Sequence, residues 1–227
     1  ADSNRWRRNS LATQLKRFDL VRIDHFRGFE ACWEIPVSEP TAINGRWVPV
    51  PGDALFASLR AHLNELPLVA EDLGIITPEV TALRRRYWLP GMLVLQFAFD
   101  GGPDNPYLPH NHTVDAVVYT GTHDNDTTLA WFNGLTETAQ QPVRDQLGTT
   151  DPMPRALVRA ALNSVAQLAI IPMQDLLGLG AGHRMNTPGT TTGNWQWRFD
   201  REQLTDEITT WWKSAVERSG RAGTTTD

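Results

Sequence analysis

A short apolar run that ends in an acid, Phe18-Asp19-Leu20-Val21-Arg22-Ile23-Asp24, is the first of several in this chain. Similar runs ending in acids return at Pro67-Leu68-Val69-Ala70-Glu71 and at 116–124. Near-continuous apolar runs of this length are typical of strands buried on both faces, as in a parallel sheet. Two further apolar runs, at 92–99 and 167–171, indicate two more strands.

The segments between these runs have helical patterns. Helices are predicted over 53–66, 154–166 and 201–218. Thr77-Pro78 predicts another helix start, because a capping Thr is followed by Pro at the first helical position. That helix would run to about Trp88. Strands that alternate with helices predict an α/β fold.

Charge and composition argue against several kinds of partner. The formal net charge is -5 with both signs interspersed, so we expect no nucleic-acid partner and no membrane partner. The basic run Arg84-Arg85-Arg86 is interpreted as a solvated helix face. No apolar run approaches the ~20 residues that span a bilayer, and Ala1–Arg8 lacks the apolar core of a signal peptide. With Cys32 as the single cysteine, we predict a cytoplasmic protein.

Three of the predicted strands end in acids, at Asp24, Glu71 and Asp124. The carboxyl ends of parallel strands face one rim, so we expect these side chains to converge there. Two carboxyl groups at one rim are what glycosidic-bond chemistry requires, one as nucleophile and one as acid and then base. Arg22 would point the same way as Asp24, because side chains two apart on a strand share a face.

Other interpretations of these residues stay open. An acid at a strand end can simply cap the next helix, and His123-Asp124-Asn125-Asp126 contains residue types that bind metals. His25 and His123 each adjoin one of the acids and could instead donate hydrogen bonds to sugar hydroxyls. The nine tryptophans suit either core packing or stacking on sugar faces. Core packing is expected for Trp88, Trp211 and Trp212, whereas both interpretations stay open for those near the predicted loops, Trp33, Trp47, Trp131, Trp195 and Trp197.

Several blocks, spread in order over nearly the whole chain, form a specific combination. They are Val21-Arg22-Ile23-Asp24-His25-Phe26-Arg27-Gly28, Val69-Ala70-Glu71-Asp72-Leu73-Gly74, Tyr119-Thr120-Gly121-Thr122-His123-Asp124-Asn125-Asp126-Thr127, Ile171-Pro172-Met173-Gln174-Asp175-Leu176-Leu177, and Arg184-Met185-Asn186 with Gly193-Asn194-Trp195. These blocks resemble those of the amylomaltases, the 4-α-glucanotransferases of glycoside hydrolase family 77, which are related to the α-amylases.

The resemblance implies a (β/α)8 TIM-barrel fold. That family is roughly twice as long as this chain, which begins without Met, so residues 1–219 would be the C-terminal portion of the catalytic barrel. Residues 220–227 would be a polar tail. About five strands are indicated, fewer than the eight of a closed barrel. The N-terminal half of the barrel would then be a partner that completes the fold.

The resemblance also implies roles for individual residues. Asp24 would be the nucleophile, Glu71 the general acid/base, and Asp124 the acid that distorts the sugar at the cleavage point and stabilises the transition state. The further substrate contacts would be Arg22, His25, His123 and Asn186. The implied reaction transfers an α-1,4-glucan from a maltodextrin donor to the 4-hydroxyl of a sugar acceptor, with retention and without a cofactor or metal.

Three positions depart from the family pattern. Cys32 stands where an aromatic residue is expected, Ala130 where Gly is expected, and His183 where a small residue is expected. None of them is one of the three acids. Two other activities stay open at this point: an α-amylase-like retaining hydrolase would use the same acids, and a catalytically incomplete part-barrel would only bind glucan.

Overall fold

The computed structural model describes residues 5–223. Two compact units are present, one up to Met92 and one from Leu93 onward. The predictions for residues 1–4, in the polar start, and for 224–227, in the polar tail, lie outside the described residues. Between residues 5 and 223, no helix is both long and apolar enough to cross a membrane.

In the first unit, a parallel strand pair and an antiparallel hairpin alternate with helices. Strands β1 (Val21–Ile23) and β4 (Leu68–Ala70) are parallel, with Ile23 opposite Ala70. Strands β2 (Ala31–Glu34) and β3 (Arg46–Pro49) form the hairpin, with Trp33 opposite Trp47. The elements, in chain order, are α1 (Arg5–Leu15), β1 (Val21–Ile23), β2 (Ala31–Glu34), β3 (Arg46–Pro49), α2 (Gly52–Leu63), β4 (Leu68–Ala70) and α3 (Pro78–Arg86).

In the second unit, a three-stranded sheet has the order β5-β6-β7. Strands β6 and β7 are parallel, with Val118 opposite Ala169. The elements, in chain order, are β5 (Gly91–Val94), which begins at the end of the first unit, β6 (Ala116–Tyr119), α4 (Thr128–Gly134), α5 (Glu137–Leu147), α6 (Arg155–Leu162), β7 (Leu168–Ile170), α7 (Met173–Leu176) and α8 (Asp206–Arg218).

An aromatic cluster forms the centre of the first core. Phe56 of α2 is fully buried, and its ring centroid lies 5.5 Å from that of Phe26 and 5.3 Å from that of Phe29. Full burial of each such ring contributes about 1.5–3 kcal/mol to folding. Because Phe26 begins the 3₁₀ helix that follows β1, this packing also fixes the chain beside Asp24.

Helix α6 is buried on two sides in the second unit. Leu157, fully buried, packs with Val118 of β6, whereas Val158, also fully buried, packs with Ala215 of α8. A helix that is apolar over most of its circumference belongs inside a core. Helix α6 therefore links the sheet to α8.

The predicted mixed α/β fold is confirmed by the parallel pairs β1–β4 and β6–β7. Closure into a barrel is not seen within residues 5–223. The strand predicted over 92–99 is wrong beyond Val94, because the chain turns there into a 3₁₀ helix, Leu95–Phe97. Apolar content alone does not separate a buried strand from a buried helical turn.

The interpretation of the basic run as a solvated face is wrong for one of its members. Arg84 is buried at 7% exposure, because it lies four residues after Val80 on the inner face of α3. The core packing expected for Trp88 is also wrong. Its side chain is 85% exposed, and its backbone has a left-handed φ of 58° just after the helix ends.

Part of the predicted polar tail is firmly bonded. Arg221 donates hydrogen bonds of 2.6–3.3 Å to four backbone carbonyls, those of Leu162, Ser164, Ala166 and Gln167. These carbonyls lie at the end of α6 and in the turn after it, and the carbonyl of Leu162 is one of those that a helix end leaves without an intrahelical partner. Arg221 therefore ties the end of the described chain to the turn that leads into β7.

His112 is a buried titratable group between two loops. Its Nε2 lies 2.9 Å from the carbonyl oxygen of Tyr107, which can only accept, so the neutral ring carries its proton there. Its Nδ1 then accepts from the Ser164 hydroxyl at 2.7 Å. Burial lowers the pKa of His112 below its ordinary 6.5, and the Tyr107 carbonyl acts in the opposite direction.

The lowered pKa of His112 predicts a loss of stability in mild acid. As pH falls through about 6.5, the unfolded chain takes up a proton that the folded His112 binds more weakly, so the free energy of unfolding decreases. His112→Asn removes this proton and should flatten the decrease. Denaturant unfolding between about pH 7 and pH 5 measures it, with the exposed His62→Asn as the matched control. An unchanged slope in His112→Asn contradicts the prediction.

Candidate active site

Two of the predicted acids follow neighbouring parallel strands in the first unit. Ile23 and Ala70 are register partners, so Asp24 and Glu71 are the next residues on the two strands. The Glu71 amide donates to the Ile23 carbonyl at 2.9 Å, and the Phe26 amide donates to the Glu71 carbonyl at 2.9 Å. The backbone therefore holds the two acids at the same edge of the pair.

Asp24 is held by its neighbour on the strand. Arg22 Nη2 donates to Asp24 Oδ1 at 2.5 Å, as expected for side chains two residues apart on one face. Arg22 Nε also contacts Met92 Sδ at 3.4 Å. The Asp24 side chain is 74% exposed, so its carboxylate is oriented by a guanidinium while it stays accessible to a ligand.

Glu71 is held by backbone amides. The His25 amide donates to Oε2 at 2.7 Å, and the Leu73 amide donates to Oε1 at 3.1 Å. His25 has a left-handed φ of 48°, a conformation that costs a non-glycine residue about 1–3 kcal/mol. This strained conformation brings the His25 amide to the Glu71 carboxyl group. His25 therefore contributes to the site through its main chain as well as through its exposed ring.

Asp72, the residue after Glu71, forms a largely buried ion pair. Asp72 Oδ1 accepts from the Met92 amide at 2.8 Å, and Oδ2 lies 3.0 Å from Nε of the buried Arg84. Burial raises the pKa of Asp72, whereas the Met92 amide and the Arg84 charge act in the opposite direction. A Cβ at Gly91 would lie 2.5 Å from Asp72 Oδ2, so any larger residue there would displace the Asp72 carboxyl group. Sequence reasoning did not assign Asp72 a role.

The third acid belongs to a cluster within the second unit. Asn186 Nδ2 donates to Asp124 Oδ1 at 2.6 Å, and His123 Nε2 lies 3.3 Å from Asp124 Oδ2. The Asn186 amide also donates to the His123 carbonyl at 3.1 Å. The structure thus brings together the three residues of this unit that the sequence predicted as site residues.

Two residues outside the predicted catalytic and substrate-binding set also belong to this cluster: Arg184, and Trp195, for which the sequence left core packing and sugar stacking both open. Arg184 Nη2 donates to the Asp124 carbonyl at 2.7 Å. The ring of Trp195 lies 5.1 Å from that of His123, and Trp195 has a left-handed φ of 62° while 55% exposed. Arg184 and Trp195 lie in blocks that carry the family resemblance, which was the available signal.

Buried polar contacts shape the loop around Asp124. Asn125 Oδ1 accepts from both the amide and the hydroxyl of Thr122 at 2.8 Å. Gln96, which is buried, donates through Nε2 to the Asp126 carbonyl at 3.0 Å. A Cβ at Gly121 would lie 2.6 Å from that Gln96 nitrogen. The loop conformation thus depends on the absence of a side chain at Gly121 and on the hydrogen bond from the buried Gln96.

Each unit presents groups suited to acid–base and electrostatic chemistry on a polar ligand. The first presents two carboxyl groups, one oriented by a guanidinium and one by amides. The second presents a carboxylate that is bonded to an amide and an imidazole beside an exposed indole, which can stack on a sugar face. Across the described part of the chain, no group of three His, Cys, Asp or Glu side chains is arranged to hold a metal ion.

Comparisons with known proteins point in one direction. A family model described as 4-α-glucanotransferase, glycoside hydrolase family 77, matches residues 1–205. The chain is 53% identical to a 4-α-glucanotransferase of Thermus thermophilus over 206 residues, which cover 87% of this chain and 41% of that protein. It is 50% identical to one of Synechocystis sp., over 95% of this chain and 44% of that protein.

A solved structure shows the same similarity in three dimensions. An amylomaltase from Streptococcus agalactiae, in complex with acarbose, superposes with a TM-score of 0.91 at 36% identity. The match covers 96% of this chain and 45% of that one. The chain therefore spans about two fifths of the length of the curated relatives it matches.

Asp72→Ala should destabilise the first unit strongly. The substitution leaves the buried Arg84 charge and the Met92 amide without this partner, and removing one member of a buried ion pair costs about 3–5 kcal/mol. Denaturant unfolding measures the change. Glu34→Ala, which removes an exposed partner of Arg46, is the matched control and should change stability little. Equal effects of the two substitutions would show that the Asp72 pair is not a major support.

Proposed function

This chain belongs to the 4-α-glucanotransferase family, glycoside hydrolase family 77, and on that premise we propose that the complete protein transfers α-1,4-glucan segments. The donor is a maltodextrin and the acceptor is the 4-hydroxyl of another sugar. The observation that carries the proposal is the placement of Asp24 and Glu71 directly after register partners of two parallel strands. Acids at the carboxyl ends of parallel strands are where barrel enzymes assemble their chemistry.

The proposed architecture is a (β/α)8 barrel to which residues 1–219 contribute the C-terminal portion. The similarity to an amylomaltase chain that is about twice as long supports this division. The remaining strands, and the N-terminal half that contains them, would complete the barrel. Residues 220–227 would lie beyond it as a tail, although Arg221 is bonded to the turn before β7.

In the first proposed step, Asp24 attacks the anomeric carbon of the donor. Glu71 gives a proton to the glycosidic oxygen, so the leaving sugar departs as a neutral alcohol and a covalent glycosyl-enzyme remains. The Arg22 guanidinium orients the attacking carboxylate. The His25 and Leu73 amides hold the Glu71 carboxyl in place through its two oxygens.

In the second step, Glu71 removes a proton from the acceptor hydroxyl. The acceptor oxygen attacks the anomeric carbon and releases Asp24, so two inversions give net retention. Water could take the place of the acceptor and give hydrolysis, and the same acids would serve. Transfer thus depends on binding a sugar and excluding water.

The Asp124 cluster is proposed to bind the sugar at the cleavage point. Positive charge develops at the ring carbon in the transition state, and a fixed carboxylate stabilises that charge. Asn186 and His123 hold the Asp124 carboxylate through different oxygens, so little reorientation is needed during the reaction. The ring of His25, Arg22 and the edge of His123 are further proposed contacts to sugar hydroxyls.

Maltotriose disproportionation tests the reaction and the two proposed catalytic acids. The complete protein should convert maltotriose into glucose and a series of longer maltodextrins. Glu71→Gln should lower the rate about 10²–10⁴-fold, because it removes the proton donor, and Asp24→Asn should reduce transfer to background, because no covalent intermediate can form. Chromatography of the products at successive times measures both.

Asp19→Asn is the control, because Asp19 is an exposed acid just before β1 and should leave the rate unchanged. Glucose and maltose without longer products would contradict transfer and favour the hydrolase. The 227-residue chain, alone and mixed with the N-terminal half of a relative, shows whether it can act as a part-barrel. Binding of maltodextrin without turnover in both cases would favour a glucan-binding fragment.

The contact between Asn186 and Asp124 predicts a second kinetic effect. Asn186→Ala removes a hydrogen bond to a charged group, a contact worth about 1.5–3 kcal/mol, so kcat/KM should fall about 10–100-fold. Asn186→Asp should be worse, because two carboxylates would meet. Asn133→Ala, on an exposed position of α4, is the control. An Asn186→Asp enzyme as active as wild type would contradict a binding role for this pair.

A further inference from the structure

One buried carboxylate in the second unit has no part in the steps above. Asp175 of α7 is 2% exposed, and its carboxylate oxygens accept hydrogen bonds from Thr120 and Thr128, which are both fully buried. We propose that Asp175 is a positioning residue that clamps the segment 120–128 and so fixes the orientation of Asp124. The catalytic consequence rests on the proposed function.

The contacts of Asp175 are short and use both of its carboxyl oxygens. Oδ2 accepts from the Thr120 hydroxyl at 2.5 Å and from the Thr128 hydroxyl at 2.7 Å. Oδ1 accepts from the Thr128 amide at 2.7 Å. Hydrogen bonds to an ionised acceptor are about twice as strong as neutral ones, so this side chain holds its partners tightly.

The positions of the two threonines explain what is clamped. Thr120 directly follows β6, and Thr128 is the first residue of α4. The chain leaves the sheet at one of them and enters the helix at the other, and His123 and Asp124 lie between. By joining both ends to one carboxylate, Asp175 fixes the span over which the loop must fold.

The interior of the loop does not do this by itself. The bonds of Asn125 to Thr122 set a local turn. Gln96 spans part of the loop, because its amide donates to the Thr120 carbonyl at 3.3 Å and its side chain donates to the Asp126 carbonyl at 3.0 Å, but neither contact involves Thr128. The Thr127 hydroxyl caps α4 by accepting from the Ala130 amide at 3.2 Å. Asp175 connects the first residue of this helix, Thr128, to the residue after the strand, Thr120.

A space-filling role is a poor explanation for a carboxylate at this position. Burial of a carboxyl group is costly unless it is hydrogen-bonded, and an apolar side chain would fill the same volume without that cost. Burial raises the pKa of Asp175, whereas the hydrogen bonds from Thr120 and Thr128 act in the opposite direction. The carboxylate thus lies in an environment that disfavours its charge, and its oxygens accept hydrogen bonds there from three donors: the Thr120 hydroxyl, the Thr128 hydroxyl and the Thr128 amide.

The test compares three variants of the complete protein. Asp175→Ala removes the clamp. Asp175→Asn keeps an acceptor for the Thr128 amide and presents an NH₂ group to the two hydroxyls, which can also accept. Val143→Ala is the matched control, because Val143 is fully buried in α5, outside the segment 120–128, and its apolar side chain makes none of the hydrogen bonds described for that segment.

Two readouts separate positioning from general stability. Amide hydrogen exchange over 121–128 reports whether the loop is fixed, independently of catalysis. Rates of maltotriose disproportionation, measured well below the unfolding temperature of every variant, report the consequence. We expect Asp175→Ala to exchange faster over 121–128 than Val143→Ala does and to lower kcat about a hundredfold, with a smaller change in KM. Asp175→Asn should restore kcat to about one fifth of the wild-type value, a loss equivalent to one net hydrogen bond.

Equal exchange over 121–128 in Asp175→Ala and Val143→Ala would overturn the clamp. A kcat in Asp175→Ala equal to that of Val143→Ala would overturn its catalytic consequence even if exchange increased. If the wild-type protein shows no transfer at all, the proposed function fails, and the exchange comparison still decides whether Asp175 fixes the loop.

Discussion

The parallel pairing of β1 with β4 is the constraint on which the first unit's candidate site depends. Because Ile23 and Ala70 are register partners, the residues that follow them leave the sheet together, and those residues are acids. A slip of one position would turn one acid toward the opposite face. The aromatic cluster of Phe26 and Phe56 packs directly after β1, so the same core that stabilises the unit also fixes this register.

In each unit, a second acid lies beside a predicted catalytic acid and bonds the surrounding chain. Asp72 binds the Met92 amide beside Glu71, and Asp175 binds Thr120 and Thr128 on either side of Asp124. Burial raises the pKa of both supporting acids, which is the electrostatic cost of using a carboxylate as an internal acceptor. In each case the carboxylate accepts a directional hydrogen bond from a backbone amide, which an apolar side chain could not do.

Much of this arrangement could be predicted from local patterns. Apolar runs ending in acids predicted β1, β4 and β6, and the capping residues at Thr77-Pro78 predicted the start of α3. Other features have no local signature. The hairpin β2–β3 depends on Trp33 meeting Trp47 across the pair, and the burial of Arg84 depends on Asp72, a residue distant in sequence. The helical turn after Val94 has the same composition as a strand, so only its surroundings distinguish it.

The sequence by itself determined the α/β class, the acids at strand ends and the family, because alternation, capping and specific motifs are written in neighbouring residues. The tertiary structure decided which groups hold those acids: the strained His25 amide on Glu71, Asn186 on Asp124, and Asp175 on the ends of the segment 120–128. These contacts join residues from 46 to 62 positions apart. Their geometry depends on packing and on the need to satisfy buried polar groups, and neither is expressed within a short stretch of chain.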